Sequence, residues 1–204
     1  TRTDSSAASD VYKRQAVIGA GPAGLAFSEI AASRGHHVEL FEASDQIGGQ
    51  FNLAKQIPGK EEFHETIRYF STMLKKNGVK VHLNKKVQPI DLMNKKYDEV
   101  IVSTGVYPRS LDIPGSDEKI VISYIDAIRN IDKIGKKVVL IGAGGIGFDM
   151  AELLSHGRKN PSTNIDDFAE QWGIDFTNHP RGGVTGVTAT VSYTHLTLPT
   201  NLSV

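Results

Sequence analysis

The stretch Ala16-Val-Ile-Gly-Ala-Gly-Pro-Ala-Gly-Leu-Ala-Phe-Ser-Glu-Ile-Ala-Ala-Ser33 decides how this chain folds. A short apolar run, Ala16 to Ile18, feeds directly into glycines. Behind them Leu25, Ala26, Glu29 and Ile30 recur at helical spacing, with Pro22 near the helix start and Gly35 as its stop. Val38-Glu-Leu-Phe-Glu42 then alternates as a strand does. Residues 16–42 therefore read as one strand–turn–helix–strand unit. In Gly19-Ala-Gly21-Pro-Ala-Gly24 each glycine has a task. Gly19 allows the tight turn, Gly21 lets backbone approach a pyrophosphate with no Cβ in the way, and Gly24 permits close packing of helix on strand. The anion sits against the unpaired N–H groups of the helix start, with Pro22 and Ala23 counted among the contact residues. Glu42 ends the second strand, where a carboxylate accepts both hydroxyls of an adenosine ribose and repels a 2′-phosphate. That points to FAD or NAD, rather than NADP, at this first site.

A second fingerprint, Gly142-Ala-Gly144-Gly-Ile-Gly147, follows the apolar run Lys137–Ile141, an expected strand, and opens a helix from Gly145 to about His156. Gly142, Gly144, Gly145, Ile146 and Gly147 are the candidate contacts to a nicotinamide nucleotide. No ribose-reading residue is recognisable after them, so NAD and NADP both stay open there. Between the fingerprints, Phe63, Ile67, Phe70 and Leu74 mark one apolar helix face that ends in Lys75, Lys76 and Gly78. That stripe reads as core. Val79–Leu83 and Asp98–Ser103 read as strands, the latter closed by Thr104-Gly105, and a short helix is expected over Tyr124–Asn130. Alternating strands and helices argue for parallel α/β sheets. Pro108, Pro114 and Gly115 mark a break, giving a first domain over residues 16–112 and a partial second over 113–190. From Arg158 to Gly183 the pattern weakens to loops around one short helix, Ile165–Trp172.

Composition narrows the function classes. A chain of 204 residues allows one large domain or two small ones. Lys+Arg and Asp+Glu are 23 each, so nothing in the net charge recruits nucleic acid or an anionic membrane. The hydrophobic fraction of 39% suits a globular chain. No apolar run approaches a membrane span and no signal peptide opens the chain. Cys is 0, which leaves no disulfide or thiolate-held cluster within these residues and is compatible with a reducing, cytoplasmic setting. The seven His show no ligand spacing, so no metal site is expected. Residues 1–15 lack helical or strand period and Val191–Thr200 reads at best as a short strand without a partner pattern. Ser9–Gln15 and Val191–Thr200 resemble translated sequencing-adapter read-through, so 1–15 and 191–204 are taken as non-native or disordered tails. Little function is expected at either end, and Thr1 in place of Met suggests a longer reading frame.

Two dinucleotide motifs a domain apart resemble the two-dinucleotide-binding flavoprotein oxidoreductases, with FAD on the first and a nicotinamide nucleotide on the second. Gly48-Gly49 resembles the glycine pair these proteins place by the pyrophosphate. Val102-Ser-Thr-Gly105 resembles their second FAD-contacting strand and turn, with Ser103 where Ala is commoner. The run Gly48–His64, with Ile141–Asp149, Trp172-Gly-Ile-Asp175 and Arg181-Gly-Gly183, is similar to the C-terminal part of the bacterial NADPH-dependent 2,4-dienoyl-CoA reductase family.

That resemblance implies a Rossmann-like FAD-binding domain followed by an incomplete Rossmann-like NAD(P)-binding domain. It implies FAD and NADPH here, and a parent enzyme whose barrel, with FMN and a [4Fe–4S] cluster, accepts the electrons and reduces the dienoyl thioester. It implies FAD contacts at Gly49, Gln50, Thr104 and Gly105. Val87 stands where such proteins meet adenine through backbone, or packs in the core. Lys55 reaches a phosphate or the flavin edge, or is simply solvated. No side chain of this chain is assigned a catalytic role, because the redox chemistry is the cofactors'. The other readings are the small subunit of a glutamate synthase-type enzyme and a non-catalytic nucleotide-binding module.

Overall fold

β1 (Arg14–Ile18) leads into α1 (Pro22–Ser33), and β2 (His37–Phe41) follows after Gly35 turns the chain at φ +93°. Next come α2 (Phe51–Ala54), α3 (Glu62–Lys76), β3 (Lys80–His82), α4 (Pro89–Met93), β4 (Glu99–Val102) and α5 (Tyr124–Arg129). The structure, a computed structural model, describes residues 12–109, 111–157 and 160–185. The proposed tails over 1–11 and 191–204 lie outside them; Arg14 and Gln15, also assigned to a tail, extend β1.

The four strands form one parallel sheet in the order β3-β2-β1-β4. The crossovers from β1 to β2 and from β2 to β3 step the same way, so right-handed connection puts both on one face. There α1 and α3 pack together. Beneath them lies the core: Val17 and Leu40 (both fully buried), Val38, Leu25, Ala31, Leu74 and Val79, flanked by Phe27, Phe70 and Ile101. Val17 pairs in register with Leu40 on one side and Ile101 on the other, so the alternation of strand side chains assembles this layer. The apolar stripe of α3 is core, as expected.

The crossover from β3 to β4 runs back past β2 and β1, hence over the opposite face, and its only helix is α4. Ala16 and Phe41 are buried on that face, but Val100 and Val102 of β4 remain 45% and 73% exposed. β4 is also an edge strand.

The chain divides into two compact units, one of residues up to 56 with 60–129, the other of 57–59 with those from 130 onward. In the first, α5 buries Ala127 and Ile128 and contacts α2. In the second, α6 (Gly145–His156) buries Met150 and Leu153. There α7 (Ile165–Trp172) spans the expected residues: the Asn164 side chain accepts the N–H groups of Asp166 and Asp167, and Gly173 ends the helix in the left-handed conformation. Two short helices, α2 and α4, escape sequence reading because neither is long enough to show a period.

One expected strand is not formed. Lys137–Ile141 pairs with no neighbour among the described residues, and Val139 and Ile141 are 86% and 63% exposed. The sequence carries strand propensity there, but a strand exists only through a ladder, and no second strand among the described residues of this unit supplies one.

Replacing Leu40 by Ala is expected to cost about 2–5 kcal/mol, whereas Val139→Ala should change stability by less than about 0.5 kcal/mol. Urea unfolding of the two variants checks this; equal costs would contradict the burial assigned to them.

A candidate dinucleotide cradle at the sheet switch point

Neighbouring crossovers leave β1 in opposite directions, so the carboxyl ends of β1 and β4 form the crevice where open parallel sheets take ligands. The first glycine turn sits at this point. Gly19 follows β1 at φ +102°, a conformation that strains any side chain, and its N–H donates to Phe41 O at 2.8 Å. A Cβ there would also press on the Ser103–Thr104 backbone at the end of β4. Gly21 is the N-cap of α1, extended at φ −76° and ψ −177°, with no side-chain cap and no acid in the first turn of the helix. A Cβ on Gly21 would meet nothing within 4 Å. A Cβ on Gly24, by contrast, would fall on the Gly19 carbonyl oxygen. The three glycines thus divide as their spacing suggests: one bends, one leaves open space before bare N–H groups, and one lets α1 touch the turn. Unpaired donors and the positive end of a 12-residue helix make that open space favourable for an anion.

Two further segments complete the rim. Gly48 donates its N–H to Ala20 O at 2.8 Å, and Gly49 lies so close that a Cβ would stand 2.8 Å from the Gly21 Cα. Gln50 donates from Nε2 to Val106 O at 3.2 Å, tying this loop to the segment after Thr104 and Gly105, where Gly105 has φ +76°. At β4, Ser103 donates its N–H to Ile18 O at 2.8 Å. The fold therefore brings Gly19, Gly21, Gly24, Gly49, Gln50, Thr104 and Gly105 together from three separate stretches.

Glu42 lies one residue past β2. Its Oε2 accepts the Ala20 N–H at 2.8 Å, while Oε1 accepts the Ser44 N–H at 2.8 Å and the Ser44 hydroxyl at 2.9 Å. Burial pushes this carboxyl up, but the Ser44 and Ala20 N–H groups, the Ser44 hydroxyl and the Ala43 N–H outweigh it and hold it below its ordinary value. Glu42 is thus fixed to the glycine turn as an anion. The bracing by Ala20 and Ser44 was not read from the sequence, although a Ser two residues after an acid is a local turn signal. Lys85 N–H donates to Glu42 O, and Asn84 N–H to Ser44 O, both at 2.8 Å. These bonds carry the segment leading to half-buried Val87 alongside the acid. Half-buried Lys55 is the C-cap of α2.

In the second unit the same turn recurs. Gly142 has φ +112°, Gly144 is an extended N-cap at φ −85° and ψ −178° with no side-chain cap, and a Cβ on Gly147 would fall on the Gly142 carbonyl oxygen. Gly144 and Gly145 have open space beside them, and Ile146 is half exposed.

A cavity of about 160 Å³ lies instead at the amino ends of the strands, between Arg14, His37, Lys80 and Tyr97, away from the glycine turn. No cluster of metal-ligating side chains occurs among the described residues, and no described helix is long and apolar enough to cross a membrane.

Gly24→Ala should destabilise the chain by about 1–3 kcal/mol through its clash with backbone, and Gly21→Ala by less than about 1 kcal/mol. Chemical denaturation reads the difference, and the reverse order would contradict the geometry. The lowered Glu42 carboxyl stabilises the fold fully above its ordinary value of 4.5, and that contribution fades as pH falls through its lowered value. Glu42→Gln should flatten the acid side of a stability–pH curve below about pH 4.5; an unchanged slope would show that Glu42 is not braced as described.

Comparison with known proteins agrees with this architecture. The family model described as pyridine nucleotide-disulphide oxidoreductase matches residues 13–166. A metal reductase of Desulforamulus reducens is 35% identical over 143 residues, covering 68% of this chain and 21% of that protein. An NADH oxidase of Thermoanaerobacter brockii is 31% identical over 170 residues, covering 81% of this chain and 26% of that one. Among solved structures, a 2-naphthoyl-CoA reductase in complex with 2-naphthoyl-CoA superimposes with a TM-score of 0.68 at 36% identity, over 72% of this chain and 22% of its own. The chain spans about a fifth to a quarter of the length of these relatives. With its Rossmann-like parallel sheet and glycine turn, the chain belongs to the pyridine nucleotide-disulphide oxidoreductase family of FAD- and NAD(P)-dependent oxidoreductases.

Proposed function

We propose that this chain is the electron-entry portion of a larger flavin-dependent reductase, in which NADPH on the second glycine turn passes a hydride to FAD on the first. The observation that carries the reading is the duplication of one turn geometry, with extended N-cap glycines at ψ −177° and −178°, together with an acid braced beside the first. Gly19, Gly21, Pro22, Ala23 and Gly24 would receive the FAD pyrophosphate and Glu42 the ribose hydroxyls, with Gly49, Gln50, Lys55, Val87, Thr104 and Gly105 around them. Gly142, Gly144, Gly145, Ile146 and Gly147 would hold the nicotinamide nucleotide. FAD, when bound, supplies an acceptor that takes two electrons together and releases them singly.

The residues' own work is binding and exclusion. Bare N–H groups offset the diphosphate charge, Glu42 repels a 2′-phosphate from the first turn, and open space at Gly21 and Gly144 admits close approach. These 204 residues contain no cysteine and so supply no disulphide of their own. For the parent, likeness to a structure crystallised with an aryl-CoA thioester supports reduction of an unsaturated acyl-CoA such as a 2,4-dienoyl thioester. Its own barrel domain would take the electrons. The acyl specificity rests on that likeness and on the Gly48–His64 resemblance.

In the full-length protein, NADPH should bleach the visible flavin band, Gly21→Ala should lower FAD content, and Gly144→Ala should abolish the NADPH response while FAD is retained. Flavin that stays oxidised under NADPH, or full FAD content in Gly21→Ala, would overturn the assignment. The isolated chain should retain little FAD through gel filtration, because Val102, Val106 and Tyr107 beside the cradle are 73%, 76% and 89% exposed. Stoichiometric retention would contradict this.

A further inference from the structure

We infer that the cavity at the amino ends of the strands is a second anion site, which takes a phosphate group, free or as the head of a small monoester. It is independent of the dinucleotide reading, because it lies at the end of the sheet opposite the glycine turn. Strand pairing builds it. Arg14 stands opposite His37 and Glu39 opposite Lys80, so alternation sets these four side chains on one face of the sheet, away from Val38 and Leu40. Tyr97, two residues before β4, closes the cavity. Gly78 turns the chain at its rim at φ +73°, with open space where a Cβ would stand.

Its donors are unspent. The Tyr97 hydroxyl is buried and closes no hydrogen bond among the described residues. Burial, then the nearby Glu39 carboxylate, push that phenol up to about 12, so it stays an O–H donor at neutral pH. The Lys80 and His37 side chains meet no partner among the described residues, and the Arg14 guanidinium lies over the Tyr97 ring at 5.6 Å. The acids nearby are engaged: Glu39 Oε2 lies 3.0 Å from His82 Nε2, and Asp98 accepts the Arg14 N–H at 2.7 Å. The wider field has the same sign. Residues 75–96 hold seven lysines, all exposed, against one acid, Asp91, in a chain of zero net charge. A guanidinium, an ammonium, an imidazole and a phenol offer donors on several sides, which suits a tetrahedral oxyanion better than a planar carboxylate. At about 160 Å³ the cavity admits such a group. It is well below the roughly 300 Å³ at which drug-sized ligands begin to fit, so a whole nucleotide is excluded.

The test is titration of the 204-residue chain with inorganic phosphate and with glycerol 3-phosphate, against chloride at equal ionic strength, followed by amide NMR and thermal unfolding. Both phosphates should shift the amides of Gly78, Lys80 and Tyr97 and raise the unfolding temperature; an effect of inorganic phosphate alone would assign the site to the free ion. Lys80→Gln should weaken binding on the order of tenfold, and Tyr97→Phe about fivefold. In chloride, Tyr97→Phe should unfold no earlier than wild type, since the hydroxyl it removes has no bond to lose, so its weaker phosphate binding is not a loss of fold. His37→Gln is read in the same way if the Lys80 variant does not fold. Shifts confined to Gly19–Gly24 would place the anion at the first glycine turn and overturn the inference. Equal binding by wild type and variants, an adventitious ion only, would overturn it too, as would no binding at all.

Discussion

The contact on which this structure depends is between a helix and a turn, where α1 lies directly against the Gly19 carbonyl. That approach exists because residue 24 has no side chain. Once it is made, the start of α1 is fixed at the carboxyl end of β1, and β4 closes from the other side through the Ser103 N–H. The Gly48–Gly49 loop then seats on Gly21, and Glu42 locks to Ala20. A methyl group at residue 24 would press on the Gly19 carbonyl and the Ser103 hydroxyl and strain the junction of β1, α1 and β4.

Much of this was legible in the residues. The order of bend, opening and close packing follows from which glycine comes first, and the structure separates Gly19, Gly21 and Gly24 in that way. Glu42 was identifiable from its place at the end of β2. What could not be read is where its hydrogen bonds come from, because the Ala20 N–H belongs to a different strand end and is brought near only by pairing. The same limit hid the Ser103 hydroxyl, whose partners lie 84 and 85 residues away. Local signals specify turns and caps, as at Asn164 and Gly173 of α7, whereas braces between elements require the fold.

Lys137–Ile141 shows the limit from the other side. Its composition is that of a buried strand, and its side chains lie largely in solvent. Propensity expresses what a segment does beside partners, and no described strand of its unit stands beside this one. The exposed face of β4 has a related cause, because the returning crossover contributes only the short α4 to cover it. Both bare surfaces belong to a chain that spans a fifth to a quarter of the proteins it resembles. The second glycine turn does not share this dependence: Gly142, Gly144 and Gly147 shape it through local backbone, so it keeps its geometry although its strand does not form.

The central claim is that two glycine turns of the same geometry receive two dinucleotides, and that the acid braced beside the first takes the ribose of one. A crystal structure of the full-length protein with FAD and a nicotinamide dinucleotide tests it most directly. The account predicts one diphosphate against the backbone at Gly21 with its ribose on Glu42, and the other against Gly144. Density for either diphosphate elsewhere, or an adenosine ribose with no contact to Glu42, would contradict it.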